Sequence, residues 1–213
     1  MLFRSFTVVG SIALQGIRLI SPNIGETVVV YGLGLIGLLA VQILIANGCK
    51  VIGIDFDKSK CDVAERFGAK CLNPQESSNL VNECKKLNGY EVDSVLITAS
   101  SKSNEIIDNS AKITRKRGKI VLIGVVGLEI DRSLFYEKEL SFQVSCSYGP
   151  GRYDSTYEED GIDYPFAFVR WTEKRNFEAI LTLMNKGLIN TKSLISSTYK
   201  IEEAKDRKST RLN

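Results

Sequence analysis

One short stretch constrains this 213-residue chain more than any other: Gly32, Gly34 and Gly37, spaced as GxGxxG, stand between an apolar β-branched run and a helix-period run. The run before them, Thr27 to Tyr31 (TVVVY), has no polar alternation, as expected of a strand buried on both faces. The run after them reads as a helix from about Leu35 to Asn47, stopped by Gly48. In that setting each glycine has its own reason to be there. Gly32 permits a tight turn, Gly34 lets the backbone approach a diphosphate that a side chain would block, and Gly37 lets helix and strand pack closely. The helix start, from Leu35, Ile36 and Gly37 onward, presents N–H groups that stabilise a diphosphate without any basic side chain.

The pattern continues as strand and helix in alternation, the signature of a parallel sheet covered on both faces. Val51 to Asp55 reads as the second strand, with Ser59 capping a helix through Phe67 that closes at Gly68. Leu72 lies in a weak third strand, and Glu76 to Leu87 reads as a helix. Val92 to Thr98 is a further strand, with a helix at about Asn104 to Arg117 behind it and the strand Lys119 to Val125 after it. The basic cluster Arg115-Lys116-Arg117, just before Gly118, is expected to cap that helix, where cations oppose the negative end of its dipole. Glu139 to Ser145 resembles one more strand. Ser147 to Arg170 is turn-rich and aromatic, long for a structureless loop, and points to a functional or oligomeric role. Phe177, Ile180, Leu181 and Met184 recur at helical spacing before Gly187. The fold class expected is α/β, a doubly wound parallel sheet (Rossmann fold) with an irregular aromatic-rich C-terminal extension.

Asp55, 18 residues after Gly37 at the end of the second strand, can accept hydrogen bonds from both hydroxyls of an adenosine ribose. That favours NAD, because a 2'-phosphate at the same place would face like charge; NADP is the less favoured cofactor. A turn or helix-cap carboxylate is the plainer role for Asp55. Lys60, one helical turn on, is read either as reaching the same ribose or as a solvated lysine.

Composition removes several other classes. With 44% hydrophobic residues, 25% charged and 4 prolines the chain can bury a sizeable core and is not disordered. Its longest apolar stretch, Leu33 to Ala46, falls short of the roughly 20 residues a spanning helix needs, so no membrane span is expected. The N-terminus lacks a secretory signal, which makes a cytoplasmic, reducing setting the default. The five cysteines, spaced 12, 10, 13 and 62 apart, form no CxxC pair and are read as small buried thiols. With no histidine in the chain, neither a transition-metal site nor a histidine-based catalytic triad is expected.

The two ends are read separately. DRKSTRLN (206–213) and MLFRS (1–5) resemble the two ends of a sequencing adapter in translation, and the sequence is expected to be an open fragment of a longer gene. Setting aside Arg4, Arg207, Lys208, Arg211 and Asp206 removes the whole formal charge of +3, so no nucleic-acid partner is inferred from charge. The expected division is then adapter-derived ends at 1–5 and 206–213, a Rossmann NAD-binding domain at 6–146 and its C-terminal extension at 147–205.

GETVVVYGLGLIGLLAVQ, VIGIDFDKSKCDVAERFGA and RGKIVLIGV resemble the cofactor domain of medium-chain dehydrogenases of the zinc alcohol dehydrogenase type, over roughly residues 8 to 145. The resemblance implies that Gly32, Gly34 and Gly37 form the pyrophosphate loop, that Asp55 is the ribose acid and Lys60 its ribose-side lysine. It further implies that Ala99, Ser100, Gly124 and Val125 line the groove from adenine to nicotinamide; ordinary strand ends are the plainer reading. That family builds its zinc site and proton relay mostly on an N-terminal barrel-like domain, which is not expected before the segment FTVVGSIALQGIRL. Its last zinc ligand would fall near Val9, which cannot bind metal, so no zinc is expected in this chain. SYGPGRYDSTYEEDGIDYP and VRWTEKRN resemble a bacterial subgroup in which a second oxidoreductase domain, of the glucose-fructose oxidoreductase type, follows. Tyr148, Arg152, Tyr153, Tyr157, Tyr164, Arg170 and Trp171 in that segment can bind a sugar hydroxyl or carboxylate, or bridge two subunits; an interface or packing role is the plainer reading. Lys138, Glu139 and the acidic run 158–160 are read as solvated charges.

Taken together these features imply the NAD-binding domain of a medium-chain alcohol- or sugar-type oxidoreductase, passing hydride between nicotinamide and a hydroxyl or carbonyl carbon of a small molecule. The fragment is expected to turn over little or nothing alone, and no catalytic residue is assigned. Homo-oligomerisation stays open. A non-catalytic nucleotide-binding or assembly module is the alternative, and a methyltransferase using the glycine loop for S-adenosylmethionine a weaker one.

Overall fold

The computed structural model describes residues 2–77, 79–198, 200 and 202, with side chains from Ser5 onward. The adapter-like end 206–213 lies outside the described residues, as do Met1 and the side chains of residues 2–4. In chain order the elements are α1 (Leu2–Ile20), β1 (Thr27–Tyr31), α2 (Leu35–Ala46), β2 (Lys50–Ile54), α3 (Lys58–Arg66), β3 (Lys70–Leu72), α4 (Leu80–Asn88) and β4 (Val92–Ile97). They continue with α5 (Glu105–Ile113), β5 (Thr114–Leu122), α6 (Arg132–Lys138), β6 (Ser141–Val144), α7 (Ser155–Glu158), α8 (Glu173–Asn185) and a 3-10 turn at Lys192–Leu194.

All six strands pair in parallel in the order β3-β2-β1-β4-β5-β6, the doubly wound arrangement with its reversal point beside β1. Alternate residues of the central strands face opposite layers, as the two-residue period of a strand requires. Val28 and Val30 of β1 and Leu96 of β4 meet α1, α2 and α8, while Val29, Tyr31, Val95 and Ile97 meet α4 and α5. Every residue of α2 from Gly37 to Leu44 is buried, which places this helix inside the molecule. No helix among the described residues is long and apolar enough to cross a membrane.

Four sequence expectations are corrected by the structure, and one element is added to them. The segment before residue 27, to which no element was assigned, forms α1, whose Ala13, Leu14, Ile17 and Ile20 enter the core. Its two glycines mark close packing: a Cβ on Gly16 would stand 2.5 Å from Ile123 Cδ1, and one on Gly10 would stand 3.0 Å from Ile180 Cγ2.

The helix expected to run to Arg117 ends at Ile113, so Arg115-Lys116-Arg117 lie in β5 and cap nothing. Arg115 instead pairs with Asp93 on β4 and Arg117 with Glu139, each at 2.7 Å. The carbonyls at the end of α5 are met by Lys138, expected to be solvated, whose Nζ donates to the Ala111, Lys112 and Thr114 oxygens at 2.6–3.0 Å. This is the C-terminal cation of the helix-dipole argument, supplied from α6.

Asp57, not Ser59, caps α3: its carboxylate accepts from the Ser59 N–H at 2.9 Å. An aspartate at the N-cap, two residues before the N–H it accepts from, has the reach that a residue already inside the helix lacks. Finally, Cys49, Cys61 and Cys84 are buried as expected, but Cys71 is half-buried and Cys146, beyond the last strand, is exposed.

Candidate functional site

The glycine turn joins β1 to α2 at the carboxyl end of the sheet. Gly32 takes φ +98, which L side chains rarely adopt, and its N–H donates to the Ile54 carbonyl on β2 at 2.8 Å. A Cβ there would also stand 2.6 Å from the Ala99 nitrogen. Gly37, in the first turn of α2, presses on Gly32: its Cβ would lie 2.0 Å from the Gly32 oxygen. Gly34 differs from both. It caps α2 with no side-chain hydrogen bond, and the space where its Cβ would project is open. The N–H groups of Leu35, Ile36 and Gly37 follow it as the first-turn donors that have no carbonyl one turn back.

Asp55, at the carboxyl end of β2, is 7% exposed. Its Oδ2 accepts from the Leu33 N–H at 2.7 Å and its Oδ1 from the Asp57 N–H at 2.9 Å, so the carboxylate ties the glycine turn to the start of α3. The turn role weighed for this residue is therefore present in the structure. Lys60 Nζ lies 3.7 Å from Asp55 Oδ1 and 3.7 Å from Asp57 Oδ2, and the exposed Phe56 ring stands beside it, with Nζ 5.6 Å from the centroid. Beneath the acid, Cys61 Sγ donates to the Asp55 carbonyl at 3.4 Å. Burial, and next the Asp55 charge, push that thiol above its ordinary range. Burial likewise raises the Tyr31 phenol, which stays protonated at neutral pH.

These groups border one cleft of about 510 Å³, at the switch point where sheets of this kind hold ligands. Of the residues singled out in the sequence, Gly32, Gly34, Asp55, Lys60, Ala99 and Ser100 line it together. Leu35, Ile36, Gly37, Gly124 and Val125 do not. Gly37 is buried behind the turn. A Cβ on Gly124 would stand 2.0 Å from the Ala99 oxygen, so this glycine supports the wall from behind. Val125 is 72% exposed and bridges to Ser100 as an isolated parallel pair.

Sequence reasoning missed Thr98, whose hydroxyl donates to the Gly32 carbonyl at 2.5 Å and so clamps β4 to the glycine turn. It also missed Phe56, Pro74, Gln75 and Ile106 on the lining. Phe56 was within reach, since it directly follows the acid; Pro74, Gln75 and Ile106 come from loops and helices that only the fold brings near. A larger cavity, about 930 Å³, lies between α1, α2, α8 and the segment around Trp171 and contains none of the glycine-turn residues. The smaller cleft is the candidate site, because the glycine turn that leads into α2, a buried acid and the sheet's switch point coincide there and volume alone carries no chemistry.

Val9 packs against the core from α1, and among the described residues no three Cys, Asp or Glu side chains converge as a metal set.

The sequence profile of the zinc-binding dehydrogenases matches residues 36–161. Among curated proteins, D-guloside 3-dehydrogenase of Escherichia coli K12 is 30% identical over 191 residues, covering 86% of this chain and 50% of that protein. The chain thus spans about half the length of the curated relatives it matches. Two solved structures share the fold. A short chain alcohol dehydrogenase of E. coli CFT073 in complex with NADH superposes with a TM-score of 0.75 at 22% identity, covering 100% of this chain and 56% of that one. A protein assigned as a zinc-binding dehydrogenase of Sinorhizobium meliloti 1021, bound to NADP, does so at 0.72 and 24%, covering 96% and 54%.

Proposed function

The chain belongs to the zinc-binding dehydrogenase family, and on that premise we propose that it is the nicotinamide-nucleotide domain of an oxidoreductase, binding NAD in preference to NADP. The observation that carries the reading is the meeting of two opposite features in one cleft. An open-sided Gly34 at the start of α2 stands beside the buried carboxylate of Asp55.

The first-turn donors at Leu35, Ile36 and Gly37 hold the diphosphate, and the absent side chain at Gly34 lets it approach. Asp55 accepts from the adenosine ribose hydroxyls; Lys60, 3.7 Å from each of two carboxylates, is shared between pairing with them and reaching the ribose. Phe56, Ala99, Ser100 and Ile106 form the adenine side of the cleft, with Gly124 and Val125 continuing the wall toward nicotinamide. Bound NAD supplies the hydride acceptor. The small-molecule substrate is read as an alcohol or sugar derivative, since a guloside dehydrogenase is among the relatives. The cytoplasm is the setting, and exposed Tyr153, Phe166 and Phe168 provide a surface for self-association.

The family's descriptive name implies zinc, but the donor set does not fit one. There is no histidine, and no three-residue group of metal-binding side chains is found among the described residues. No step assigned to this chain runs through a metal.

Titrating NADH into the pure chain while following its fluorescence tests the reading. Saturable enhancement is expected, displaced by ADP-ribose and untouched by S-adenosylmethionine. Displacement by S-adenosylmethionine instead, or no saturation, would overturn it. Alcohol-dependent NADH formation by the chain itself is expected to be negligible; rapid turnover would show that proton-transfer groups are present in it after all.

A further inference from the structure

The larger cavity lies at the other end of the sheet. Ser21 and Pro22 of its lining lead into β1 and Asn47 leads into β2, so it sits beside the amino ends of strands whose carboxyl ends carry the nucleotide cleft. Strands of this length separate the two by about 17 Å, at roughly 3.3 Å per residue. A group held in this cavity is out of reach of a nicotinamide.

Its wall is unusual in its charge. Arg18 of α1 lies with its guanidinium carbon 3.2 Å from the centroid of the Trp171 ring, and Arg170 lies 3.7 Å from the same ring and 4.5 Å from that of Phe166. Stacking on indole holds both forks in place while leaving their edges free to donate. Arg18 donates from Nε to Asn176 Oδ1 at 2.7 Å. Its two terminal amino groups, and the whole Arg170 fork, make no hydrogen bond or ion pair among the described residues. Several other arginines are matched: Arg115 by Asp93, Arg152 by Glu158, and Arg175, on this same cavity, by Asp163 at 2.9 Å. Among the described residues Glu178 is the one carboxylate on the lining and forms no ion pair.

Burial, and next the charge of Arg170, lower Arg18 to about 10, so it remains a cation at neutral pH and stands against a like charge. Two cations on one indole repel each other, and an anion at the ring's edge, within reach of both, lowers that cost. Leu14, Ile17, Ile43 and Leu183 give the rest of the cavity an apolar floor.

We propose that this cavity binds a small organic anion, its carboxylate or phosphate bridging the forks of Arg18 and Arg170 and its apolar body lying against Trp171 and the α1–α2 wall. The site is separate from the nucleotide cleft and does not depend on what binds there.

Trp171 is the only tryptophan in the chain, so its fluorescence reports on the site directly. The probes are phenylacetate and phenyl phosphate, which distinguish a carboxylate from a phosphate, with 2-phenylethanol as the uncharged analogue of the first. A saturable change is expected with at least one anion and not with the alcohol. Arg170→Gln is expected to weaken it at least about tenfold, the scale of one charge-assisted fork. Arg132→Gln, which removes an arginine stacked on Tyr136 outside the cavity, should leave it unchanged. Arg18→Lys, keeping the charge but losing the fork, should also weaken binding and serves if the first variant does not fold. Equal response to the alcohol, unchanged affinity in the folded arginine variants, no saturation with either anion, or displacement of the probe by NAD would each overturn the proposal.

Discussion

The two ends of the sheet meet charge by opposite means. At the carboxyl end the cleft is bordered by the glycine turn that leads into α2 and by the acids Asp55 and Glu105, and its one cation, Lys60, is already 3.7 Å from two carboxylates. At the amino end two arginines stand unmatched over an indole. The first arrangement attracts anions through fixed dipoles at short range, the second through whole charges on side chains. The difference also decides how each end tolerates change. Dipoles of the backbone are lost only if the backbone moves, so the carboxyl end is guarded by steric limits; the amino end can lose its chemistry by a single side-chain substitution and keep its fold.

The largest expected effect follows from that steric limit. Gly37→Val places new carbon where the Gly32 oxygen now stands, 2.0 Å from an ideal Cβ, and neither the turn nor the buried helix start can yield cheaply. Loss of several kcal/mol is expected, on the order of 3 or more for overpacking against backbone, read as a fall in thermal unfolding midpoint together with loss of NADH binding. If Gly37→Val folds and binds as the parent does, the steric half of the comparison fails.

Salt separates the two ends next. Raising ionic strength shortens the screening length from about 10 Å at 0.1 M to about 3 Å at 1 M, which should weaken phenylacetate binding several-fold while changing NADH affinity less. Equal salt sensitivity, measured by the same two fluorescence titrations, would erase the distinction.

Smaller again are the cations on the sheet's flank. Lys138→Met removes a cation that meets three carbonyls and is expected to cost about 1 kcal/mol of stability, in the range for a helix-end charge in a partly buried setting. Arg117→Ala breaks an ion pair whose side chains are 78% and 72% exposed, and should change denaturant midpoints by no more than about 0.5 kcal/mol. A reversed order would restore the helix-capping role first expected of the basic cluster.

These contrasts explain what could be read from sequence. The glycine turn was legible because backbone geometry admits almost no other residue: Gly32 at φ +98 and Gly37 against the Gly32 oxygen are demands that only one side chain meets. Asp55 was legible because strand length sets where an acid must fall, though not that it also holds the Leu33 and Asp57 N–H groups. α1 was hidden because Gly10, Ser11, Gln15 and Gly16 interrupt its apolar period at the points where Ile180, Ile123 and the segment after β6 press on it. The end of α5 was misplaced because pairing of β5 with β4, including Arg115 beside Asp93, overrides a local helical tendency. Thr98 was invisible because its partner, the Gly32 carbonyl, lies 66 residues away. Only half of the arginine pair was legible: Arg170 and Trp171 stood out in the aromatic segment before α8, whereas Arg18, on α1, did not. Local backbone demands survive in sequence, and pairings between distant segments do not.

Calorimetric titration of NAD and NADP into the chain and its Asp55→Ala variant probes the nucleotide reading at its root. Saturable NAD binding is expected, with NADP weaker by at least about tenfold, and the variant should lose most of that preference as the like charge facing the 2'-phosphate disappears. Absence of heat with either dinucleotide, or a preference that survives in Asp55→Ala, would contradict the assignment of the glycine turn and its acid.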